Sequence, residues 1–431
     1  LEIFEATKLM DFALQRARMT GLALDRQGGS VASFEYQYLP RLHRAGRVAP
    51  DAGALDEPVA SPGGYILDSD PGLFRNVLVF DFKSLYPSIV RTFKVDPLGM
   101  MEAGDDRIEG FRGATFAREG AILPDLIETR WKEREEAKRD GNSALSTAIK
   151  IMMNSFYGVL GTPACRFYHP SLVESITRRG HEIIRRSRDW FQEAGHDVIY
   201  GDTDSLFVHV DEDLDESQSR ELGHELRDKL NAWWRETLRA EHRIESFLEI
   251  QFETHFLRFL MPTVRGADAG SKKRYAGLVK KGGDLELVVK GLEAVRTDWT
   301  PLARRFQREL LNRVCRDQPC EEFVRETAKS LRAGLLDDEL LYTKRLRRDV
   351  DEYTKNVPPH VQAARQLDKP GWRITYGITI HGPQPLQKLV SPFDYGHYLD
   401  RQLAPVADTV LQFLNTSFEV LTADQLEMFP E

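Results

Sequence analysis

The densest apolar run in the chain that alternates with neither a helical nor an amphipathic period is "NVLVFDF" (76–82). It is too short to be a helix and it ends on a carboxylate, which predicts a buried strand. In "VIYGDTDSLFV" (198–208), β-branched and aromatic residues flank Asp202 and Asp204, predicting two strands joined by a tight turn. Apolar spacing of three and four residues predicts a helix over 123–140 with a strongly charged face. After the turn signal "DGNS", "ALSTAIKIMMNSFYGVLG" resumes as a second helix running back, so that the two form a helical hairpin of about 40 residues. "SLVESITRRGHEIIRRSRDWFQEAG" (171–195) predicts an amphipathic helix closed by Gly195. Residues 221–243 are again helical and 246–290 hold several strand-like runs. From about 291 the pattern is mainly helical, interrupted by a basic, proline-containing region at 344–373. Residues 45–76, rich in Pro, Gly and Asp, predict an irregular connection. The coarse order is sheet, helical hairpin, sheet, helical lobe, with no internal repeat.

Composition sharpens this picture. With 431 residues, 41% hydrophobic and 29% charged, the chain belongs with globular proteins of several domains. No stretch approaches the length of apolar residues that a membrane span needs. Cys165, Cys315 and Cys320 lie far apart without metal-binding spacing, as expected in a reducing compartment. The net charge of -8 excludes a uniformly basic nucleic-acid binder but not one with local positive patches. The chain opens on Leu1, with charges where a signal peptide needs an apolar core, and a fragment of a longer protein is expected.

Two carboxylates one residue apart repel unless water or a cation separates them, and Asp81 at the end of the first strand can be aimed at the same place. Three carboxylates gathered there would suit a hard divalent cation such as Mg²⁺ and two-metal phosphoryl transfer. Aspartate is also a favoured turn residue, and on the residues alone both readings stand. On the hairpin, Lys150, Asn154 and Tyr157 share one helical face, while Arg134 and Lys138 repeat the i, i+4 spacing on the preceding helix. Cations and a ring on facing helices suit a triphosphate and a stacked base. "EREEAKR" would equally make a solvated face of ion pairs.

"DFKSLYPSIV" (81–90), "KIMMNSFYG" (150–158) and "YGDTDS" (200–205), in that order, resemble the three polymerase motifs of family-B DNA polymerases. "SPGGYILDSDPGLF" resembles the family's linker, which touches the template strand, and "GSKKRYAGL" its lysine-rich primer-binding motif. "KGLEAVRTDWTP" and "NVPPHVQAAR" are similar to its thumb, and the likeness runs over residues 20–429. It implies an α+β right-hand fold: an antiparallel-sheet palm, helical-hairpin fingers and a mainly helical thumb. Its boundaries would be 1–65 as the remnant of an N-terminal and exonuclease-to-palm connection, 66–120 palm, 121–160 fingers, 161–290 palm, 291–424 thumb and 425–431 a terminal peptide. The implied activity is DNA-templated DNA synthesis in repair or damage-tolerant replication, by a monomer in the cytoplasm, associated with the nucleoid. No proofreading exonuclease is expected in these residues.

The resemblance also implies individual roles. Asp81 and Asp204 would bind two Mg²⁺ ions (Mn²⁺ a possible substitute) with the backbone carbonyl of Phe82, and Asp202 would be a catalytic carboxylate nearby. Ser84, Leu85 and Tyr86 would meet the incoming dNTP, with Tyr86 as the gate against a 2′-hydroxyl. Arg134, Lys138, Lys150 and Asn154 would hold the nucleotide, and Tyr157 and Gly158 would line the base-pair pocket. Gly63, Gly64, Tyr65, Lys272, Lys273, Arg274 and Tyr275 would contact primer–template DNA. The basic run 344–348 is a second candidate for backbone contact, or a solvated loop. Gln251 departs from the glutamate that many relatives carry there, whereas Glu253 is retained. "QLEMF", with Gln425, Leu426, Met428 and Phe429, resembles a sliding-clamp-binding peptide. A polymerase-like scaffold that binds DNA without catalysis is the rival class, disfavoured by the presence of all three carboxylates, and Tyr86 disfavours RNA synthesis.

Overall fold

The computed structural model describes residues 4–5, 8–26, 29–53, 62–263 and 270–423. The chain divides into two compact units, 1–67 with 79–208 and 220–253, and 68–78 with 209–219 and 254–431. One six-stranded sheet has the order β2-β3-β1-β4-β5-β6. Its strands are β1 (Gly72–Phe82), β2 (Asp197–Asp202), β3 (Ser205–His209), β4 (Ile250–Met261), β5 (Tyr275–Lys281) and β6 (Asp284–Lys290).

Strand β1 reads as continuously apolar because Val77 to Phe80 are all buried, and a strand covered on both faces loses the alternation of a half-exposed one. The hairpin is present as α4 (Ile122–Arg139) and α5 (Ser143–Leu160). Asn142 caps α5 by accepting the Leu145 N–H at 3.0 Å, and Gly141 supplies the positive φ of the turn. Helix α6 (Pro170–Glu193) starts with a proline in its first turn and is followed by Gly195 at φ 86°.

The segment ahead of the linker is more ordered than a connection requires. It forms α1 (Leu9–Thr20) and α2 (Ser30–Arg44). Phe34 packs edge-on to Phe156 of α5 at 5.3 Å, and Gln37 Oε1 accepts the Arg130 Nε–H of α4 at 3.1 Å. The Tyr38 hydroxyl donates to buried Asp96 at 3.0 Å, and Asp96 also accepts the backbone N–H groups of Gly99 and Leu123, each at 2.7 Å. A fully buried carboxylate is retained because every lone pair it presents is used. Here α1 and α2 are part of the hairpin's own core.

From residue 291 the second unit is mainly helical, with a small sheet that the sequence did not announce. Alongside α8 (Pro301–Cys315), α9 (Glu321–Arg332) and α10 (Ala404–Leu411) it holds a three-stranded antiparallel sheet, β7 (Tyr342–Arg345), β8 (Arg373–Thr379) and β9 (Gly382–Pro385), in the order β9-β8-β7. Helix α7 (Glu216–His242) precedes β4, and within the basic, proline-interrupted stretch 344–373 a short helix, Pro359–Ala364, lies between β7 and β8. Their core is a stack of tyrosines, Tyr342 lying 5.2 Å from Tyr376 and 5.9 Å from Tyr398.

Candidate active site

The hairpin read from "VIYGDTDSLFV" is formed by β2 and β3, with Thr203 and Asp204 as its two-residue turn. Thr203 sits at φ 59°, and the Asp204 N–H folds back onto the Asp202 carbonyl at 2.6 Å. This tight turn breaks the equivalence of the two aspartates. The Phe82 N–H donates to the Asp204 carbonyl at 2.8 Å, tying the end of β1 to the hairpin tip. Asp81 is consequently delivered beside Asp204, as the two strand-terminal carboxylates were expected to be.

Electrostatics confirm the juxtaposition. The Asp81 carboxyl is pushed up to about 8, first by burial, then by the charges of Asp204 and Glu253, with Lys150 opposing. Asp204 is raised by burial first, with Asp202 and Glu253 adding to it and its own backbone hydrogen bond and Lys150 opposing. Two partly buried carboxylates with repelling neighbours are held at a cost in the absence of cations. Glu253, on β4, joins the cluster that the sequence had built from aspartates alone. The retained glutamate of "LEIQFE" was its one signal. Gln251 turns elsewhere, donating to Glu249 at 2.8 Å, and Glu249 is in turn 3.4 Å from Lys83.

The residues of the hairpin face fall into two groups. Lys150 and Asn154 are exposed on α5, Tyr157 is half-buried, and an added Cβ at Gly158 would meet nothing within 4 Å. That glycine therefore has no packing reason within the protein. Arg134 is half-buried on α4 and its Nε has no hydrogen-bond partner among the described residues. Lys138 is already engaged, 2.9 Å from Glu135, whose other neighbour Lys83 lies 3.8 Å away.

Tyr86 lies on α3 (Leu85–Thr92), its ring 4.6 Å from that of Tyr157. Its hydroxyl is held above the usual phenol range by burial, then by Tyr157, Asp204 and Asp202. From behind, Gly180 of α6 lets the helix approach, since a Cβ there would come 3.3 Å from Tyr86 Cε1. Gly180 is a site residue that sequence reasoning missed. Ser84 is left-handed at φ 49°, and the Leu85 side chain is buried at 3% exposure, so only its backbone is free to face a ligand. Gly63, Gly64 and Tyr65 lie against the hairpin tip: the Thr203 N–H donates to the Tyr65 carbonyl at 2.7 Å.

In the second unit, Lys272, Arg274, Lys344 and Arg401 line one cleft of about 600 Å³. Its lining brings Lys344 of the basic run, on β7, beside the "GSKKRYAGL" motif. Arg274 is committed within the protein, paired at 2.5 Å with Glu293, which is 1% exposed. Lys272 is half exposed and 4.0 Å from Asp68. Lys273 is left-handed at φ 62°, and Tyr275 packs 5.3 Å from Phe259. The peptide holding Gln425, Leu426, Met428 and Phe429 lies outside the described residues. No helix among them is long and apolar enough to cross a membrane.

A family model described as DNA polymerase family B matches residues 25–377. The chain is 52% identical to DNA polymerase II of Escherichia coli (strain K12) over 99% of its own length and 57% of that protein's. It is 28% identical to DNA polymerase 2 of Aeropyrum pernix over 96% of its length and 52% of that protein's. Its fold resembles the structure of the family B DNA polymerase from Pyrobaculum calidifontis, with a TM-score of 0.68 and 25% identity, covering 96% of this chain and 55% of that one. The chain thus spans about half the length of the curated relatives it matches.

Proposed function

The chain belongs to DNA polymerase family B, and we propose that it is the polymerase core of such an enzyme, adding deoxynucleotides to a primer 3′-hydroxyl on a DNA template. The observation that carries the reading is the convergence of Asp81 and Glu253 from two strands with Asp204 of the hairpin turn, faced by Lys150 from the helical hairpin and bordered by Tyr86.

Among the described residues no group of three or more His, Cys, Asp or Glu side chains is arranged in a ready-made metal cage. The donors nevertheless fit divalent ions: hard carboxylate oxygens, partly desolvated and mutually repelling, a set that suits Mg²⁺ completed by water and phosphate oxygens. Asp81, Asp204 and the Phe82 carbonyl would hold two such ions, with Mn²⁺ as a substitute. When bound, these would activate the attacking hydroxyl and neutralise the departing pyrophosphate.

The protein's own groups do the positioning. Lys150 and Arg134 hold the triphosphate, Arg134 through a guanidinium whose Nε is unsatisfied without it. Lys138 joins them on release from Glu135. Asn154 and Tyr157 order the nascent base pair, and open space at Gly158 admits the template backbone. Tyr86 fills the volume that a ribose 2′-hydroxyl needs. In this reading the sheet of the first unit is the palm and α4 with α5 the fingers, while the second unit carries the thumb. Lys272, Lys273 and Lys344 meet duplex phosphates there, with Arg274 bracing them through Glu293. A sliding clamp would be engaged by residues 425–429.

Primer extension on a primed template with dNTPs and Mg²⁺ tests the reading. The chain should extend the primer, and Asp204→Asn should abolish extension while duplex affinity stays within about threefold. A folded chain that binds duplex without extending it would instead be a scaffold.

A further inference from the structure

Residues 62–67 cross the tip of the β2–β3 hairpin as a strap. Ile66 pairs with Asp202 as an antiparallel bridge, the Leu67 N–H donates to the Gly201 carbonyl at 3.0 Å, and the Thr203 N–H donates to the Tyr65 carbonyl at 2.7 Å. The approach is closer than side chains allow. A Cβ on Gly64 would fall inside van der Waals contact of Thr203 Oγ1, 3.0 Å from Cγ2 and 3.2 Å from Cβ. A Cβ on Gly201 would meet Leu67 Cδ1 at 2.6 Å.

The other side of the strap is anchored to α6. His181 Nε2 lies 2.8 Å from the Gly63 carbonyl, so the ring donates to it, and the Arg185 guanidinium sits 5.0 Å over the Tyr65 ring. Thr203 is therefore held between Asp202, to whose Oδ1 its hydroxyl donates at 3.0 Å, and a strap fixed to a long helix. Its left-handed backbone costs energy for a β-branched residue and persists because its surroundings over-determine it.

We propose that the contact between Gly64 and Thr203 is a positioning device for polymerisation: the strap holds the hairpin tip, and thereby Asp204, where the reaction needs it. This rests on the polymerase reading and adds to it. Gly64 and Thr203 act through Asp204 and not by touching the reacting atoms. A displacement of about 1 Å in a catalytic group costs on the order of a hundredfold in rate. A methyl group forced into this contact displaces the tip by a fraction of that.

The test compares the full chain with Gly64→Ala, Thr203→Gly and the double variant in single-nucleotide extension, duplex binding and amide hydrogen exchange. Gly64→Ala should lower kcat about thirtyfold, leaving KM for dNTP and duplex Kd within about twofold. Thr203→Gly removes all three atoms that the new methyl would strike. The double variant should recover kcat to within about threefold of Thr203→Gly alone, a coupling that separate defects would not show. The amide of residue 203 should exchange at least about tenfold faster in Gly64→Ala and return in the double variant.

Unchanged kcat in Gly64→Ala, with the parent chain active, overturns the proposal. A loss that follows duplex affinity and persists in the double variant also overturns it, assigning Gly64 to DNA contact. If Thr203→Gly is itself inactive, the amide decides: unchanged exchange in Gly64→Ala overturns the contact. A parent chain that does not extend primers sinks the polymerase reading, and the exchange measurement still tests the strap.

Discussion

Asp81→Asn should make the cation-free protein more stable as it makes the enzyme inactive. The Asp81 carboxyl is raised from 3.8 to about 8 in the folded chain, by burial and by the charges of Asp204 and Glu253. The folded state therefore holds a proton that the unfolded state releases. Stability falls as pH rises from about 4 to about 8, by at most about 1.4 kcal/mol per pH unit. Three such units at pH 7 set a ceiling of about 4 kcal/mol, and solvent reaching the partly exposed group reduces this to about 1–2 kcal/mol. Asparagine keeps the shape and carries no charge at any pH in this window. In cation-free buffer, thermal melting of the first unit should rise by about 2–4 °C at pH 7 in Asp81→Asn. The difference from the parent should shrink toward zero at pH 4. With millimolar Mg²⁺ the order should invert, because the parent gains binding free energy that the variant loses. A melting difference independent of pH, or a variant less stable than the parent at pH 7 without cations, would refute the claim that repulsion is stored at this site.

Three further outcomes follow from named contacts. Tyr86→Ala should lower discrimination against ribonucleotides by at least about tenfold, and Gly180→Ala, which only crowds the back of the ring, should alter it by about two- to fivefold without touching substrate. Unchanged ratios in single-turnover incorporation would remove the gate from Tyr86. Arg274→Ala should destabilise by about 2–4 kcal/mol in denaturant titrations, because it removes the cation that pairs with buried Glu293 and leaves the charge to the Gln307 amide. Lys272→Ala should leave stability alone and reduce the salt slope of duplex binding by about one. Asp96→Ala should cost about 3 kcal/mol and Tyr38→Phe about 1–2 kcal/mol, since the first orphans three donors and the second one acceptor site and the Leu98 N–H. Equal costs for those two would mean that α2 does not dock through this network.

Much of the chemistry was legible along the chain because it obeys local rules. A run such as "NVLVFDF" can only be a strand buried on both faces, and "YGDTDS" between two apolar arms can only be a tight hairpin. The i, i+4 spacing of Lys150 and Asn154 fixed their common face before any tertiary contact was known, and the structure showed that face to be exposed. Three short strands after residue 340 stayed hidden, since β7 and β8 pair across about thirty residues and the lysine, arginine and proline residues in and around the three imitate a loop.

Spacing also could not say which charges are spent inside the protein. Arg274 and Lys272 are near neighbours in one motif, yet one is paired with a buried glutamate and the other faces solvent. The sequence by itself determined most elements of the first unit, the order of the motifs and the carboxylates at a strand end and a hairpin tip, because period and turn chemistry act over a few residues. Only the tertiary structure decided that Glu253 joins Asp81 and Asp204, that Gly180 backs Tyr86, and that Gly64 lies on Thr203. Those are contacts between residues remote in sequence, set by how strands and helices stack, and no local pattern encodes them.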